Sequence, residues 1–402
     1  MRDNQEAVDL QALYQEAILL HRQGRPEEAI SRYSLIAGHA PEAAEVHYNL
    51  GLALFETGQF SLAVKACRQA AALAPTDADI LYNLGLACKK DNRYAEAEIA
   101  YLQAMVLAPA DLDIRYNLGC CYRDAGELEQ ARRVFAILAG MAPDHLPALN
   151  NLAYLLHLLG EYDEAREAYG RILRLDPEHA SARYMHAVLI GAPVAVPPRE
   201  YVRSLFDHYS ATFEENLTRD LEYTLFLDMR AMFDAIQQEK QLRDHGLDLG
   251  CGTGLAGEAF RTACRRLSGV DLSAKMIERA ATKNIYDSLH VEEIVAFLNH
   301  RQELYDLFIA TDVLIYLGDL TPLFAAAARQ ATPDALFCLS TERTEAADWV
   351  IQTTGRYAHH PDYVRKIARE NGWRELRSAP ADVRREGDGR IDGSLFVFAR
   401  TN

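Results

Sequence analysis

The residues best suited to chemistry gather around position 250. Asp248-Leu249-Gly250-Cys251-Gly252-Thr253-Gly254 sets three glycines at alternate positions behind a short apolar run, Gly246–Leu249. Glycines so spaced let the backbone turn sharply and approach a ligand with no Cβ in the way. The run before them reads as a short buried strand, and Leu255 to Cys264 reads as a helix. A second strand, Leu267 to Val270, leads into Asp271. An acidic residue at that place in a βαβ unit can accept hydrogen bonds from both hydroxyls of a ribose. The chemistry expected here is therefore recognition of a nucleoside. Gly252 to Gly257 also satisfies G-x-G-x-x-G, a dinucleotide fingerprint, but that pattern alone does not discriminate between ligands.

The elements downstream keep the alternation of strand and helix. Leu289 to Ile294, with Glu292 and Glu293, reads as a third strand and its exit, and Tyr305 to Ala310 as a fourth. Thr311 to Tyr316 follows the fourth strand directly. A helix over 320–331, a strand Leu336–Ser340, a helix over 361–371 and two final strands, the last at Leu395–Phe398, complete the pattern. In open α/β sheets the cofactor lies at the carboxyl ends of the strands, where Gly250, Asp271 and Thr311 converge.

Taken whole, Asp248-x-Gly250-x-Gly252-x-Gly254 resembles motif I of class I S-adenosylmethionine-dependent methyltransferases. Gly269-Val270-Asp271-Leu272-Ser273-x-x-Met276 is similar to their second motif. The resemblance implies an α/β Rossmann-like domain over 200–402 with S-adenosylmethionine as cofactor, a ligand without phosphate that needs no pyrophosphate cradle. It implies cofactor contacts at Asp248, Gly250, Cys251, Gly252, Gly254, Asp271, Leu272 and Met276. It also places Glu292 or Glu293 at the adenine amino group and Thr311 at the edge facing sulfonium and substrate. Phe206, Asp207, Tyr209 and Phe213 match a segment that forms a helical lid in such enzymes, here about 200–240. The stretches Gly355-Arg-Tyr-Ala-His-His360 and Arg385-Glu-Gly resemble those of bacterial predicted methyltransferases that carry tetratricopeptide repeats. Methyl transfer from a sulfonium is an in-line displacement, so alignment is the main requirement. An amine, hydroxyl or carbon acid also needs a base. The candidates by location are Tyr209, Asp312, Tyr316, Glu342, His359 and His360.

The first half is a repeat. Prolines stand at 41, 75, 109, 143 and 177, and alanines at 29, 63, 97, 131 and 165, at one constant step. Gly51, Gly85 and Gly119 share another position, with Ala17, Ala153 and Ala187 in the remaining copies. Tyr33, Cys67, Tyr101, Phe135 and Tyr169 share a third, and Gly24, Gly58, Asn92, Gly126 and Gly160 a fourth. Small residues let paired helices approach, large ones fill the gap, and proline stops the second helix. The period resembles the tetratricopeptide repeat, a helix–turn–helix unit. Five repeats over about 10–177 and a capping helix over 178–190 are expected, an all-α solenoid.

Asn49, Asn83, Asn117 and Asn151 occupy one position of these repeats, with Tyr48, Tyr82 and Tyr116 just before the first three. A carboxamide both donates and accepts, which suits it to an extended peptide backbone on the concave face. The ladder is similar to that in the repeats of O-linked N-acetylglucosamine transferase, where it holds protein substrates. The expected partner is a protein or peptide.

Composition sets the outer limits. The 402 residues carry a net charge of −16, and both the repeat half and the rest are acidic. Neither half reads as a nucleic-acid or anionic-membrane binder. No apolar run is long enough to span a bilayer, and no secretory signal is expected. The 7 cysteines form no C-x-x-C pair and no zinc spacing. Reduced thiols, no metal and a cytoplasmic protein are expected. Gly191–Arg199, with three prolines, marks a linker between domains at 1–190 and 200–402. Three functions stay open: a protein methyltransferase with recruiting repeats, a small-molecule or lipid methyltransferase with scaffolding repeats, and a non-catalytic S-adenosylmethionine-binding adaptor.

Overall fold

The computed structural model describes residues 9–192, 194, 196–209, 214, 222–237, 242–386 and 389–401. Its internal contacts divide the chain into two units, meeting between Leu175 and Asp176.

The first unit is five helical hairpins. They are α1 (Leu10–Arg22) with α2 (Pro26–His39), α3 (Ala44–Glu56) with α4 (Phe60–Leu73), and α5 (Ala78–Lys90) with α6 (Tyr94–Leu107). After these come α7 (Leu112–Asp124) with α8 (Leu128–Met141), and α9 (Leu146–Leu158) with α10 (Tyr162–Leu175). Aspartates open several first helices: the Asp77 and Asp111 carboxylates accept the N–H groups two and three residues on, a cap worth about 1 kcal/mol. The turns inside the hairpins need a left-handed residue. Asn92 fills the position that glycine fills elsewhere, at φ 60°. The small-to-large rule is literal: a Cβ on Gly85 would lie 2.6 Å from the Tyr101 ring, and one on Gly119 would lie 2.8 Å from Phe135. Tyr101 and Phe135 are fully buried there. Truncating either to alanine would cost about 3–5 kcal/mol.

The second unit begins with α11 (Ala180–Leu189), α12 (Arg199–Tyr209) and α13 (Leu225–Ile236). The sequence pattern places α11 as the cap of the repeats; in the structure it groups with the second unit. Its Tyr184 hydroxyl donates to the Gly355 carbonyl at 3.0 Å, and its Tyr184 ring lies 5.1 Å from that of Tyr201. The proline-rich stretch is pinned as well, since Tyr357 donates to the Val194 carbonyl at 3.1 Å.

A nine-stranded sheet forms the rest, in the order β3-β2-β1-β4-β5-β7-β6, with β9 beside β5 and β8 outside β9. The strands are β1 (Arg243–Leu249), β2 (Cys264–Asp271), β3 (Ser288–Val291), β4 (Tyr305–Ala310), β5 (Ala331–Arg343), β6 (Trp349–Ile351), β7 (Tyr357–His359), β8 (Trp373–Glu386) and β9 (Gly389–Arg400). The first five run parallel, and β9 returns antiparallel to β5. Helices α14 (Leu255–Phe260), α15 (Ala274–Thr282), α16 (Ile294–His300), α17 (Thr321–Arg329) and α18 (Pro361–Glu370) connect them. Side chains alternate across a strand, and both faces are apolar. Leu249, Phe308 and Phe337 pack with Phe297, Phe324 and Val364 on one face. Leu307, Ile309 and Cys338 pack with Phe260 and Phe233 on the other. Among the described residues no helix is long and apolar enough to cross a membrane.

Candidate functional site

The parallel strands β1, β2 and β4 end side by side and present Gly250, Asp271 and Thr311 at one edge. Gly250, Gly252 and Gly254 all have positive φ, so the loop is a chain of left-handed turns. At Gly250 any side chain is excluded twice, by its φ of +70° and because a Cβ would sit 2.3 Å from Val313 Cγ2. Asp271 braces the loop from β2: one carboxylate oxygen accepts from the Gly252 N–H and the other from the Ser273 N–H, both at 2.9 Å. An acidic residue at the end of the second strand is the place where sheets of this kind hold a ribose diol.

The remaining expected cofactor residues divide. Asp248 is buried beneath the loop, where Tyr286 donates its hydroxyl at 2.6 Å and the Gly257 N–H adds a second bond. Burial pushes its carboxyl up to about 7, against the pull of Tyr286. Asp248 therefore supports the loop from below. Cys251 is buried too, its Sγ aimed at Gly269, so it adds backbone and no side chain to the loop surface. Met276 is wholly inside the core and gives its N–H to the Ser273 hydroxyl, whereas Leu272 stays half-buried beside Asp271. Thr311 is buried and bonded to Tyr223.

The exit of β3 departs from the sequence reading. The strand stops at Val291, and Glu293 caps α16 by accepting the Val295 and Ala296 N–H groups. Glu293 also pairs with Arg199 of α12 at 3.1 Å. Glu292 faces His300 and Arg301. Both carboxylates are engaged by protein groups. A second ion pair, Lys283 with Glu214 at 2.7 Å, ties the segment before the sheet to the cofactor side. Phe213 lies outside the described residues, as do the side chains of Asp207 and Tyr209.

The candidate bases separate just as clearly. Asp312, Tyr316 and Glu342 come together, with two residues that sequence reasoning missed, Arg384 and Arg356. Arg384 donates to Asp312 and to Glu342, both at 2.6 Å. Burial alone would lower its pKa; the two carboxylates outweigh this and hold the guanidinium above its usual range. The Tyr316 phenol is raised by burial, with Arg356 opposing.

Neither histidine joins the cluster. His359 is fully buried, with Nε2 donating to the Leu317 and Gly318 carbonyls at 2.8 and 3.0 Å. Burial drives its pKa down to about 4, so it is a neutral strut. His360 caps α18, its Nδ1 accepting the Asp362 N–H. Among the described residues no group of His, Cys, Asp and Glu could hold a metal ion.

The repeat ladder is internal to a degree the sequence does not disclose. Asn49, Asn83, Asn117 and Asn151 each donate to the hydroxyl of a tyrosine one repeat earlier: Tyr14 at 2.8 Å, Tyr48 at 3.2 Å, Tyr82 at 2.9 Å and Tyr116 at 3.4 Å. Each also donates to the carbonyl four residues back, at 2.8 to 3.0 Å. A carboxamide has two N–H donors, and both are spent inside the stack. The expectation that these asparagines donate to a bound peptide is therefore corrected. Their carbonyl oxygens remain for a ligand at Asn49, Asn83 and Asn117, while that of Asn151 accepts from Arg123. Tyr14 extends the tyrosine row by one repeat and was legible from the spacing.

Comparison with known proteins agrees with this architecture. Residues 247–339 match the model of a methyltransferase domain. Residues 14–78, 54–111, 116–180 and 159–189 match that of a tetratricopeptide repeat. Nodulation protein S of Sinorhizobium fredii is 31% identical over 84 residues, 20% of this chain and 38% of that protein. The chain thus spans little more than a third of the length of the curated relatives it matches. The structure of N-methyltransferase NodS from Bradyrhizobium japonicum WM9 with S-adenosyl-L-homocysteine is similar at 18% identity. That match covers 50% of this chain and 98% of NodS, with a TM-score of 0.41. YrrB, a tetratricopeptide-repeat protein with an unusual peptide-binding site, is similar at 22% identity, over 43% of this chain and 89% of YrrB, with a TM-score of 0.40. This chain joins a set of tetratricopeptide repeats to a methyltransferase domain.

Proposed function

We propose that the protein is an S-adenosylmethionine-dependent methyltransferase whose repeats recruit a protein or peptide. The observation that carries this is Asp271. Its carboxylate braces a left-handed glycine loop at the ends of β1 and β2, inside the segment that matches a methyltransferase domain. The residues suit the cofactor: the loop from Gly250 to Gly257 contains no Lys or Arg to neutralise a phosphate, and S-adenosylmethionine has none. Asp271 would accept from the ribose hydroxyls, and the backbone of Gly250–Gly254 would lie against the methionine part. When bound, the cofactor supplies a methyl carbon on a sulfonium, whose carbon–sulfur bond breaks with its electron pair left on sulfur. The segment before the sheet, about 200–240, acts as a lid, fastened by Arg199–Glu293 and Glu214–Lys283.

A second reading has its own support. Because the ladder amides are spent between repeats, the first unit can be a scaffold while the second methylates a small molecule or lipid. Incubation with methyl-labelled cofactor and whole lysate separates the two. Label in the protein fraction supports recruitment, and label among small molecules supports the scaffold. No label in either, with micromolar cofactor binding, leaves a non-catalytic adaptor.

A further inference from the structure

At the end of β4 the chain turns through Asp312, a non-glycine residue at φ 55°. Such a conformation persists only where surrounding contacts enforce it, and it concentrates at functional positions. Three bonds enforce it here. The Asp312 N–H donates to Ser340 Oγ at 2.9 Å, Arg384 donates to Asp312 Oδ1 at 2.6 Å, and the same Arg384 is fixed from its other side by Glu342. Arg384 is 4% exposed and Glu342 fully buried, whereas Asp312 is 16% exposed. Its Oδ2 has no hydrogen-bond partner among the described residues, and neither has the hydroxyl of Tyr316. Tyr316 packs edge-on against Phe206 at 5.3 Å and lies among Arg356, Asp312, Arg384 and Glu342. Glu342, Arg356 and Arg384 all fall beyond the segment matched by the methyltransferase model, 247–339. They join Asp312 and Tyr316, which lie inside that segment.

We propose that Asp312 Oδ2 and the Tyr316 hydroxyl bind the methyl acceptor, that Arg384 is the positioning residue that aims Asp312, and that the acceptor is an amine or a hydroxyl. The proposal rests on the methyl-transfer reading and names its substrate class. The argument is one of donors and acceptors. An ionised carboxylate can only accept hydrogen bonds, so a group that docks on Asp312 Oδ2 must bring an N–H or O–H. A carboxylate acceptor, itself only accepting, has nothing to offer. The bond to Asp312 leaves a lone pair of the acceptor to take up the methyl carbon. The proton the acceptor sheds as the new bond forms passes to Asp312 Oδ2 and on to water, which the partial exposure of that side chain admits.

The test takes the full chain, methyl-labelled S-adenosylmethionine and lysate, and asks how the label behaves in alkali. Label that survives alkaline treatment and returns as N-methyl or O-methyl ether after hydrolysis is expected. Label released as volatile methanol is a methyl ester and overturns the proposal, while methyl transfer itself stands. No label in any fraction overturns both. Asp312→Asn should slow labelling about 100-fold or more, within the range for loss of a general base, and Arg384→Met should do the same. Both variants should hold S-adenosylhomocysteine within about twofold of the unmodified protein by calorimetry, because the cluster serves the acceptor. Arg384→Lys, which retains the charge, should recover part of the lost turnover. Unchanged labelling in Asp312→Asn, or equal loss of cofactor affinity in both variants, overturns the proposal.

Discussion

Tyr286 donates its hydroxyl at 2.6 Å to the carboxylate of Asp248, sealed under the glycine loop. Nothing else would fit: a Cβ on Gly257 would lie 2.0 Å from that same hydroxyl. The bond favours the charged form of Asp248, yet burial wins and raises the group from 3.8 to about 7. A carboxyl whose folded pKa exceeds its unfolded value binds more protons when folded, so stability falls as pH rises from about 4 to 7. The full effect is about 4 kcal/mol at most. Asp248→Asn should flatten this decline. Tyr286→Phe removes a donor to the carboxylate and should carry the decline to higher pH. Urea unfolding at intervals from pH 5 to 8.5 reads both, and identical pH slopes in all three proteins would refute the assignment.

Asp271 holds two backbone N–H groups, and the proposed ribose contacts fall on the same carboxylate. Replacement by alanine would strand both amides, mixing stability with binding. Asp271→Asn keeps one accepting oxygen and strands one amide instead of two, so its unfolding midpoint is measured beside its ligand affinity. Its affinity for S-adenosylmethionine should fall at least tenfold, about 1.4 kcal/mol, with the fold intact by circular dichroism. Calorimetric titration indistinguishable from that of the unmodified chain would remove Asp271 from the cofactor site.

The tyrosine–asparagine ladder predicts coupling between consecutive repeats. Tyr82→Phe deletes the bond to Asn117 while leaving the carboxamide in place. Asn117→Ala deletes both. A double-mutant cycle on the unfolding midpoint should give a coupling of about 0.5–1.5 kcal/mol. A coupling near zero would free the amide for a ligand and restore the donor role that its geometry denies.

Much of this architecture can be read directly from spacing. Constant-step prolines and glycines locate all ten repeat helices, down to Asn92 in the left-handed turn. Asp248, Gly250 and Asp271 announce the nucleoside edge because the βαβ unit is local. What stays hidden is whatever depends on distant strands meeting. Asp248 and Tyr286 are 38 residues apart, and Asp312 and Arg384 are 72 apart; only the sheet order brings them into contact. The three-residue strands β6 and β7 are too short for an alternation to register. Glu293 is ambiguous for another reason, since an acid leaving a strand and an acid capping the next helix look the same in sequence. The location of His359 and His360 in the sequence fits a catalytic base; burial and capping, which composition does not encode, decide their roles.

The neutral state of His359 has a thermodynamic signature opposite to that of Asp248. Burial sets its folded pKa at about 4, below the ordinary histidine value of 6.5, in spite of the two carbonyls that favour the proton. The unfolded chain therefore takes up a proton first as pH falls. The contribution of this group is fully present above about pH 6.5 and is lost as pH falls toward 4, by about 3 kcal/mol at most. His359→Gln keeps a donor for the Leu317 and Gly318 carbonyls and has no proton to gain, so it should remove this part of the acid limb. In urea unfolding from pH 7.5 down to 4.5 the unmodified protein should lose stability relative to the variant, whatever their gap at pH 7.5. A constant gap across that range would show that the folded and unfolded chains bind this proton alike, and would refute the lowered pKa of the buried imidazole.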